Sequence, residues 1–148
     1  MTFVDVAGRT IKSFQVRHGE KVGWVPENPT RVGYSFSGWK SGSSTITENT
    51  TVTSDLIVAP TFTAITYTIT YNLEGGTWTA SGKKTSYKIT DSDYSPPTPN
   101  PTRTGYTFNG WVPASIPTGY TGNRSFTATW QINTYTITLD ANGGVPPT

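Results

Sequence analysis

Asn28-Pro29-Thr30-Arg31-Val32-Gly33-Tyr34-Ser35-Phe36-Ser37-Gly38-Trp39 returns 72 residues later as Asn100-Pro101-Thr102-Arg103-Thr104-Gly105-Tyr106-Thr107-Phe108-Asn109-Gly110-Trp111. The shared frame is Asn-Pro-Thr-Arg-x-Gly-Tyr-x-Phe-x-Gly-Trp. A chain that repeats such a frame is built from repeated units, and the spacing predicts units of about 65–70 residues rather than one 148-residue domain. A unit of that size buries only about 60% of the surface of its unfolded chain. Its core must therefore come from large side chains, and five Trp, eight Tyr and six Phe are available.

The frame itself reads as a core strand. Pro29 and Pro101 make the approach extended. Tyr34 and Phe36 lie two apart, so both point to one face, as do Tyr106 and Phe108. Trp39 and Trp111 have the opposite parity. Either each Trp covers the second face, or a bulge at Gly38 and at Gly110 resets the alternation and returns it to the core; the bulge is the preferred reading, because the same Gly-Trp pair closes both copies.

The rest of the chain supplies partners for that strand. Residues 3–16 alternate apolar and polar with a break at Ala7-Gly8, which predicts two strands and a turn. A polar stretch from Ser41 to Thr53 leaves room for one short strand around Ile46. Leu56 to Ala59 reads as a strand, with Pro60 at its edge or end. Phe62 and Trp130 are each followed by Tyr-Thr-Ile-Thr, at Tyr67–Thr70 and Tyr135–Thr138, and then by Gly75-Gly76 or Gly143-Gly144. The expected organisation is a first repeat over 1–64, truncated at its start, a second over 65–132, and the opening strand and turn of a third over 133–148. No stretch has the period and caps of a helix, so the fold class is mainly β, in tandem small sheet units. The short links at 63–66 and 131–134 predict an elongated arrangement. Tyr34, Phe36, Trp39, Phe62, Tyr106, Phe108, Trp111 and Trp130 are the expected structural core.

Tyr-Thr-Ile-Thr, the Gly-Gly turn, Pro-x-Pro-Thr-Arg-x-Gly-Tyr-x-Phe-x-Gly-Trp and a closing Ala-x-Trp together resemble the Listeria–Bacteroides repeat, also called the internalin B-repeat. The resemblance covers nearly the whole chain. It implies a β-grasp-like unit found in tandem on secreted and surface-anchored bacterial proteins, and hence an extracellular or cell-surface location. Repeat 1 departs from the pattern in two places: Ala7-Gly8 stands for Gly-Gly, and Pro60 and Phe62 stand in the closing strand where Ala-x-Trp is expected.

The formal charge of +2, with no basic run longer than Lys83-Lys84, does not provide a nucleic-acid footprint. No apolar run approaches the roughly 20 residues of a membrane-spanning helix. No signal peptide precedes the first strand-like residues, which fits a segment of a longer protein. Cysteine is absent, which excludes disulfides and thiolate chemistry.

Candidate chemistry is sparse. His18 is the sole histidine, beside Gly19 in a turn, with no identifiable acid or hydroxyl partner. Asp91-Ser92-Asp93 and Asp140-Ala141-Asn142-Gly143 are fragments of calcium-loop spacing without the closing Glu. Pro96-Pro97-Thr98-Pro99-Asn100-Pro101 contains a Pro-x-x-Pro spacing, read as a stiff approach to the aromatic strand. Asn49-Thr50-Thr51 and Asn123-Arg124-Ser125 match a glycosylation pattern that carries no weight in a bacterial-type repeat.

No catalytic residue, metal site or cofactor is expected, and the chain is not expected to be an enzyme. The expected role is a non-catalytic repeat module serving as spacer or stalk, with its own neighbouring repeats as partners. The alternative is a module that binds host glycan or surface protein. Trp24 and Trp78 lie outside the repeated scaffold, and they are candidate ligand contacts unless they pack against a neighbouring repeat. Arg31 and Arg103 are the only charged residues at matching places in the frame. They are candidate contacts too, though stacking on the adjacent ring is the preferred reading.

Overall fold

The computed structural model describes residues 1–144, in nine strands and no helix. In order these are β1 (Thr2–Val4), β2 (Thr10–Ser13), β3 (Tyr34–Ser41), β4 (Ser44–Ile46), β5 (Ile57–Ala64), β6 (Tyr67–Asn72), β7 (Ser86–Tyr87), β8 (Tyr106–Val112) and β9 (Arg124–Ile132). They form two mixed sheets, ordered β2-β1-β5-β3-β4 and β7-β6-β9-β8. The protein is therefore mainly β. The described residues contain no helix, so the β-grasp-like part of the expectation stays a property of the family resembled.

The two sheets share one plan. An opening strand runs parallel to the closing strand: β1 with β5 (Thr2↔Ile57, Phe3↔Val58) and β6 with β9 (Ile69↔Arg124 to Asn72↔Thr127). The aromatic frame strand then pairs antiparallel with the same closing strand. In the first sheet Phe36 faces Phe62, Gly38 faces Thr61 and Trp39 faces Pro60. In the second Phe108 faces Trp130, Gly110 faces Thr129 and Trp111 faces Ala128.

The register shifts between Phe36 and Gly38 and again between Phe108 and Gly110, so both bulges are present. Gly38 and Gly110 adopt φ of 137° and 109°, a region that side chains avoid. Thr61 and Thr129 hydroxyls donate 2.8 Å hydrogen bonds to the Gly38 and Gly110 carbonyls. The parity reset leaves Trp39 only 4% exposed.

Pro60 lies within β5 rather than at its end. The ladder with β1 stops at Val58, so beyond it β5 has β3 as its one partner strand. A strand paired on one side tolerates a proline whose missing N–H would face the open side. The segment between paired residues Lys40 and Ala59 covers 41–58 and holds β4 before β5 begins, whereas that between Val112 and Thr127 covers 113–126 and holds no further strand before β9 begins at Arg124.

By density of contact the chain divides into two compact units. One comprises Met1–Tyr67 with Ser86–Ser92 and Thr118–Gly122; the other comprises Thr68–Thr85, Asp93–Pro117 and Asn123–Thr148. The first is centred on Phe3, Val22, Trp39, Ile46, Val52 and Val58. The second buries Ile69, Trp78, Ala80, Ile116, Phe126 and Ala128.

The segment beginning at Tyr135 forms no strand among residues 133–144, and Tyr135, Ile137 and Leu139 are exposed. It does make the expected turn. Gly144 N–H donates to Ala141 O at 2.8 Å, with Asn142 and Gly143 at φ of 45° and 83°. The remainder of the expected third-repeat segment, 145–148, lies outside the described residues.

Candidate functional site

The aromatic frames are the most fully built parts of the molecule. In the first unit Phe3 sits edge-on to Trp24 and Trp39, with ring centroids 5.5 and 5.6 Å away. Phe36 meets Trp39 and Phe62 edge-on at 5.7 and 5.9 Å. In the second unit Tyr71 takes the place of Phe3, stacking on Phe126 at 5.7 Å, while Phe108 meets Trp111 and Trp130 edge-on. Edge-to-face pairs of this kind add about 0.5–1.5 kcal/mol each beyond area burial.

The Arg pair is part of this scaffold. The guanidinium of Arg31 lies 4.0 Å above the Tyr34 ring, and that of Arg103 lies 3.7 Å above Tyr106. Val32-Gly33 and Thr104-Gly105 form the tight turns between Arg and Tyr, closed by Tyr N–H to Arg O bonds of 3.0 and 3.1 Å, and this brings the cation over the ring. The same geometry at both places assigns these arginines to intramolecular stacking.

Trp24 and Trp78 pack within their own units. They were candidates because neither falls on the repeated scaffold. Trp78 is 8% exposed, packs on Tyr71 and Trp111 at 4.9 and 4.8 Å, and donates its indole N–H to Pro99 O at 2.9 Å. Trp24 is half-buried against Phe3 and Phe14, with the Lys12 ammonium 4.4 Å from its ring. Each fills the space beside the Phe3 or Tyr71 ring of its own unit, reached from a different point of the chain. A linear comparison of the two copies cannot show this, because the equivalence lies in space and not in sequence position. Burial removes Trp78 as a ligand platform.

The remaining candidates resolve into turns and packing. Asp91 accepts from Lys88 N–H at 3.1 Å, and Asp140 accepts from Asn142 N–H at 2.9 Å, both as turn formers. Among the described residues no three His, Asp or Glu side chains converge to hold a metal ion. The Pro-rich approach packs on its own unit, with Pro101 fully buried and Pro99 O held by Trp78. Asn123 Oδ1 accepts from Thr68 N–H at 2.9 Å.

His18 is exposed and lines a broad cleft of about 650 Å³ with Arg17, Ser54 and Asp55.

Two features escaped sequence reasoning. One is the Tyr71–Tyr94 pair. Tyr71 hydroxyl donates to Lys84 O at 2.7 Å and lies 2.7 Å from the Tyr94 hydroxyl, which accepts Lys84 N–H at 3.1 Å. Burial, and then the neighbouring Tyr94 hydroxyl, push the Tyr71 phenol above its ordinary range, so it stays protonated. The other is a cleft of about 360 Å³ beside the first bulge, lined by Phe36, Trp39 and the 45–49 segment. Neither leaves a signature in the order of residues, because each joins parts of the chain far apart in sequence.

No helix of the described residues is long and apolar enough to cross a membrane. No solved structure matches the chain. Among curated proteins it is 25% identical, over 96% of its length, to a protein of Evansella cellulosilytica provisionally named a membrane protein. It is 24% identical over 97% of its length to a second protein of that organism, provisionally named a Gly-rich membrane protein. Over 60% of its length it is 32% identical to Internalin H of Listeria monocytogenes. The chain spans only 22%, 17% and 16% of these relatives' own lengths. The sequence pattern of the Listeria–Bacteroides repeat domain matches residues 1–63 and 67–134, and with the doubled aromatic frame, bulge and Arg stack this places the chain in the Listeria–Bacteroides repeat family.

Proposed function

We propose that this chain is a non-catalytic module of a secreted or surface-anchored bacterial protein, whose repeats hold other parts of that protein apart. In this reading 1–64 and 65–132 are the repeats and 133–148 begins a third. The observation that carries it is that the two copies repeat one packing solution. Bulge, closing-strand register and Arg-on-Tyr stack recur, and the repeated polar groups are used within the scaffold. Internalin H, named among the relatives, accords with a surface setting. A spacer built of such units gains stability from each unit and its neighbours along the array.

Small-angle scattering of the 148-residue chain tests this reading. A spacer requires an elongated scattering profile, and a profile of a single compact sphere overturns the role. Adhesion to host glycan or glycoprotein is the second reading. With Trp78 buried, it needs a different surface, and the first unit offers one.

A further inference from the structure

We propose that the cleft beside the Gly38 bulge is a binding site for a neutral pyranose, a hexose or N-acetylhexosamine unit. This goes beyond the spacer role, which stands or falls separately.

The cleft exists because of how the first unit departs from the second. Its floor is the frame itself, with half-buried Phe36 and Val25 beside Trp39. Gly38, with no side chain, leaves the floor open, and the nearest neighbour a Cβ there would meet is Thr45 Cγ2 at 3.8 Å. Thr45 and Ile46 belong to β4, the strand that the longer 41–58 loop adds. A Cβ at Gly110 would meet nothing within 4 Å, so the equivalent wall is missing beside the second bulge.

The chemistry of the lining selects the ligand. An aromatic and apolar floor takes the C–H face of a sugar ring, and groups that both donate and accept suit its hydroxyls. The rim has Asn28 and Asn49 amides and the Thr45 hydroxyl, all on exposed residues. Glu48 is the sole charged residue lining it among those described, and no Lys or Arg does. A carboxylate on the rim repels sialic acid, uronate and phosphate while accepting from a neutral hydroxyl. The Trp39 indole N–H is already committed to Pro26 O at 3.2 Å, which leaves polar recognition to the rim. At about 360 Å³ the cleft falls at the small end of ordinary ligand sites, enough for one or two sugar units.

The test is amide-resolved NMR titration of the whole chain with N-acetylglucosamine, galactose and sialyllactose. The expected result is saturable shifts at Thr45–Asn49 and Phe36 with a neutral sugar, at about millimolar affinity. The E48A/N49A double variant should weaken binding about tenfold or more, and Asn28→Ala by less, with unchanged melting temperature because all three side chains are exposed. Absence of saturable shifts with both neutral sugars overturns the site. So does equal affinity in the rim variants, or preference for the sialylated sugar. None of these outcomes touches the scattering result that decides the spacer role.

Discussion

The opening turns of the two units solve one problem with different residues. Asp5-Val6-Ala7-Gly8 and Leu73-Glu74-Gly75-Gly76 each close with a hydrogen bond from the fourth N–H to the first carbonyl, at 2.9 and 3.0 Å. In the second unit Glu74 and Gly75 take φ of 48° and 88°, the mirror-image turn that suits a hairpin. Ala7 resists such a φ, and in the first turn Gly8 alone is left-handed, at 81°.

The supports differ to match. Trp130 donates its indole N–H to Leu73 O at 3.0 Å and packs against Gly76. Phe62 occupies the place of Trp130 and has no N–H. In the first turn the Asp5 side chain does the holding, accepting from Ala7 and Arg9 N–H at 2.9 Å each. One turn is held by packing from across its unit, the other by a local carboxylate. A repeated backbone plan thus constrains the shape of a turn without dictating which groups stabilise it.

The comparison predicts unequal responses to equal substitutions. The largest is at the turn glycines. A Cβ on Gly76 would lie 2.4 Å from the Trp130 ring, while one on Gly8 meets nothing within 4 Å. Gly76→Ala should cost about 2–4 kcal/mol in urea unfolding. Gly8→Ala should cost only about 1 kcal/mol, for the left-handed φ alone. Equal costs would break the claim that packing holds the second turn.

Next are Gly33 and Gly105, both at φ of 79°. A Cβ on Gly33 would come within 2.5 Å of Ile89 Cδ1, in one of the segments that complete the first compact unit, whereas Gly105 faces open space. Each Ala variant carries the same backbone penalty, and Gly33→Ala should be worse by about 1–3 kcal/mol. Matching stabilities would remove Ile89 from that packing.

A smaller difference separates the frame tryptophans. Trp39 N–H reaches Pro26 O, but Trp111 Nε1 is buried without a partner among the described residues, while its neighbour Trp78 donates to Pro99 O. Trp39→Phe should therefore be costlier than Trp111→Phe by about 1 kcal/mol in denaturant melts. The reverse order would show that volume, not the hydrogen bond, decides.

The smallest effect is the pH response of the first turn. Hydrogen bonding from Arg9 N–H holds the Asp5 carboxyl below its ordinary 3.8; desolvation opposes it as the second-largest influence, and Ala7 N–H and the Arg9 side chain add to the lowering. A folded-state pKa below the unfolded one means the stabilisation is present above pH 3.8 and fades as pH falls through the lower folded value. Urea midpoints measured down the acid range should fall less steeply in Asp5→Asn. An unchanged slope would mean the carboxylate charge contributes nothing there.

The doubled frame made the largest structural facts legible from residues alone. Parity placed Tyr34 and Phe36 on one face, and the repeated Gly-Trp ending favoured a bulge over a Trp39 turned to the second face; the register shift shows the bulge. Gly143 marked a turn that forms even where no strand surrounds it, because left-handed φ is a local preference. The Arg stack needs only the short x-Gly turn between cation and ring, Val32-Gly33 in one copy and Thr104-Gly105 in the other, and it forms in place of a pair with an acid.

Trp24 and Trp78 were opaque for the opposite reason. They fill equivalent space from non-equivalent positions, and only the packed core shows that each covers the Phe3 or Tyr71 ring. The cleft was equally hidden. It depends on a four-residue difference in loop length, which lets β4 form and stand beside Gly38. Local chemistry and periodicity therefore determined the bulges and the turns, since those are decided within a few residues, whereas the same Tyr-Thr-Ile-Thr is a strand at 67–70, where β9 pairs with it, and none at 135–138. Which aromatics are buried, which carbonyl each indole meets and where a wall rises over the frame were decided by tertiary structure, because those outcomes depend on which distant groups compete for the same space.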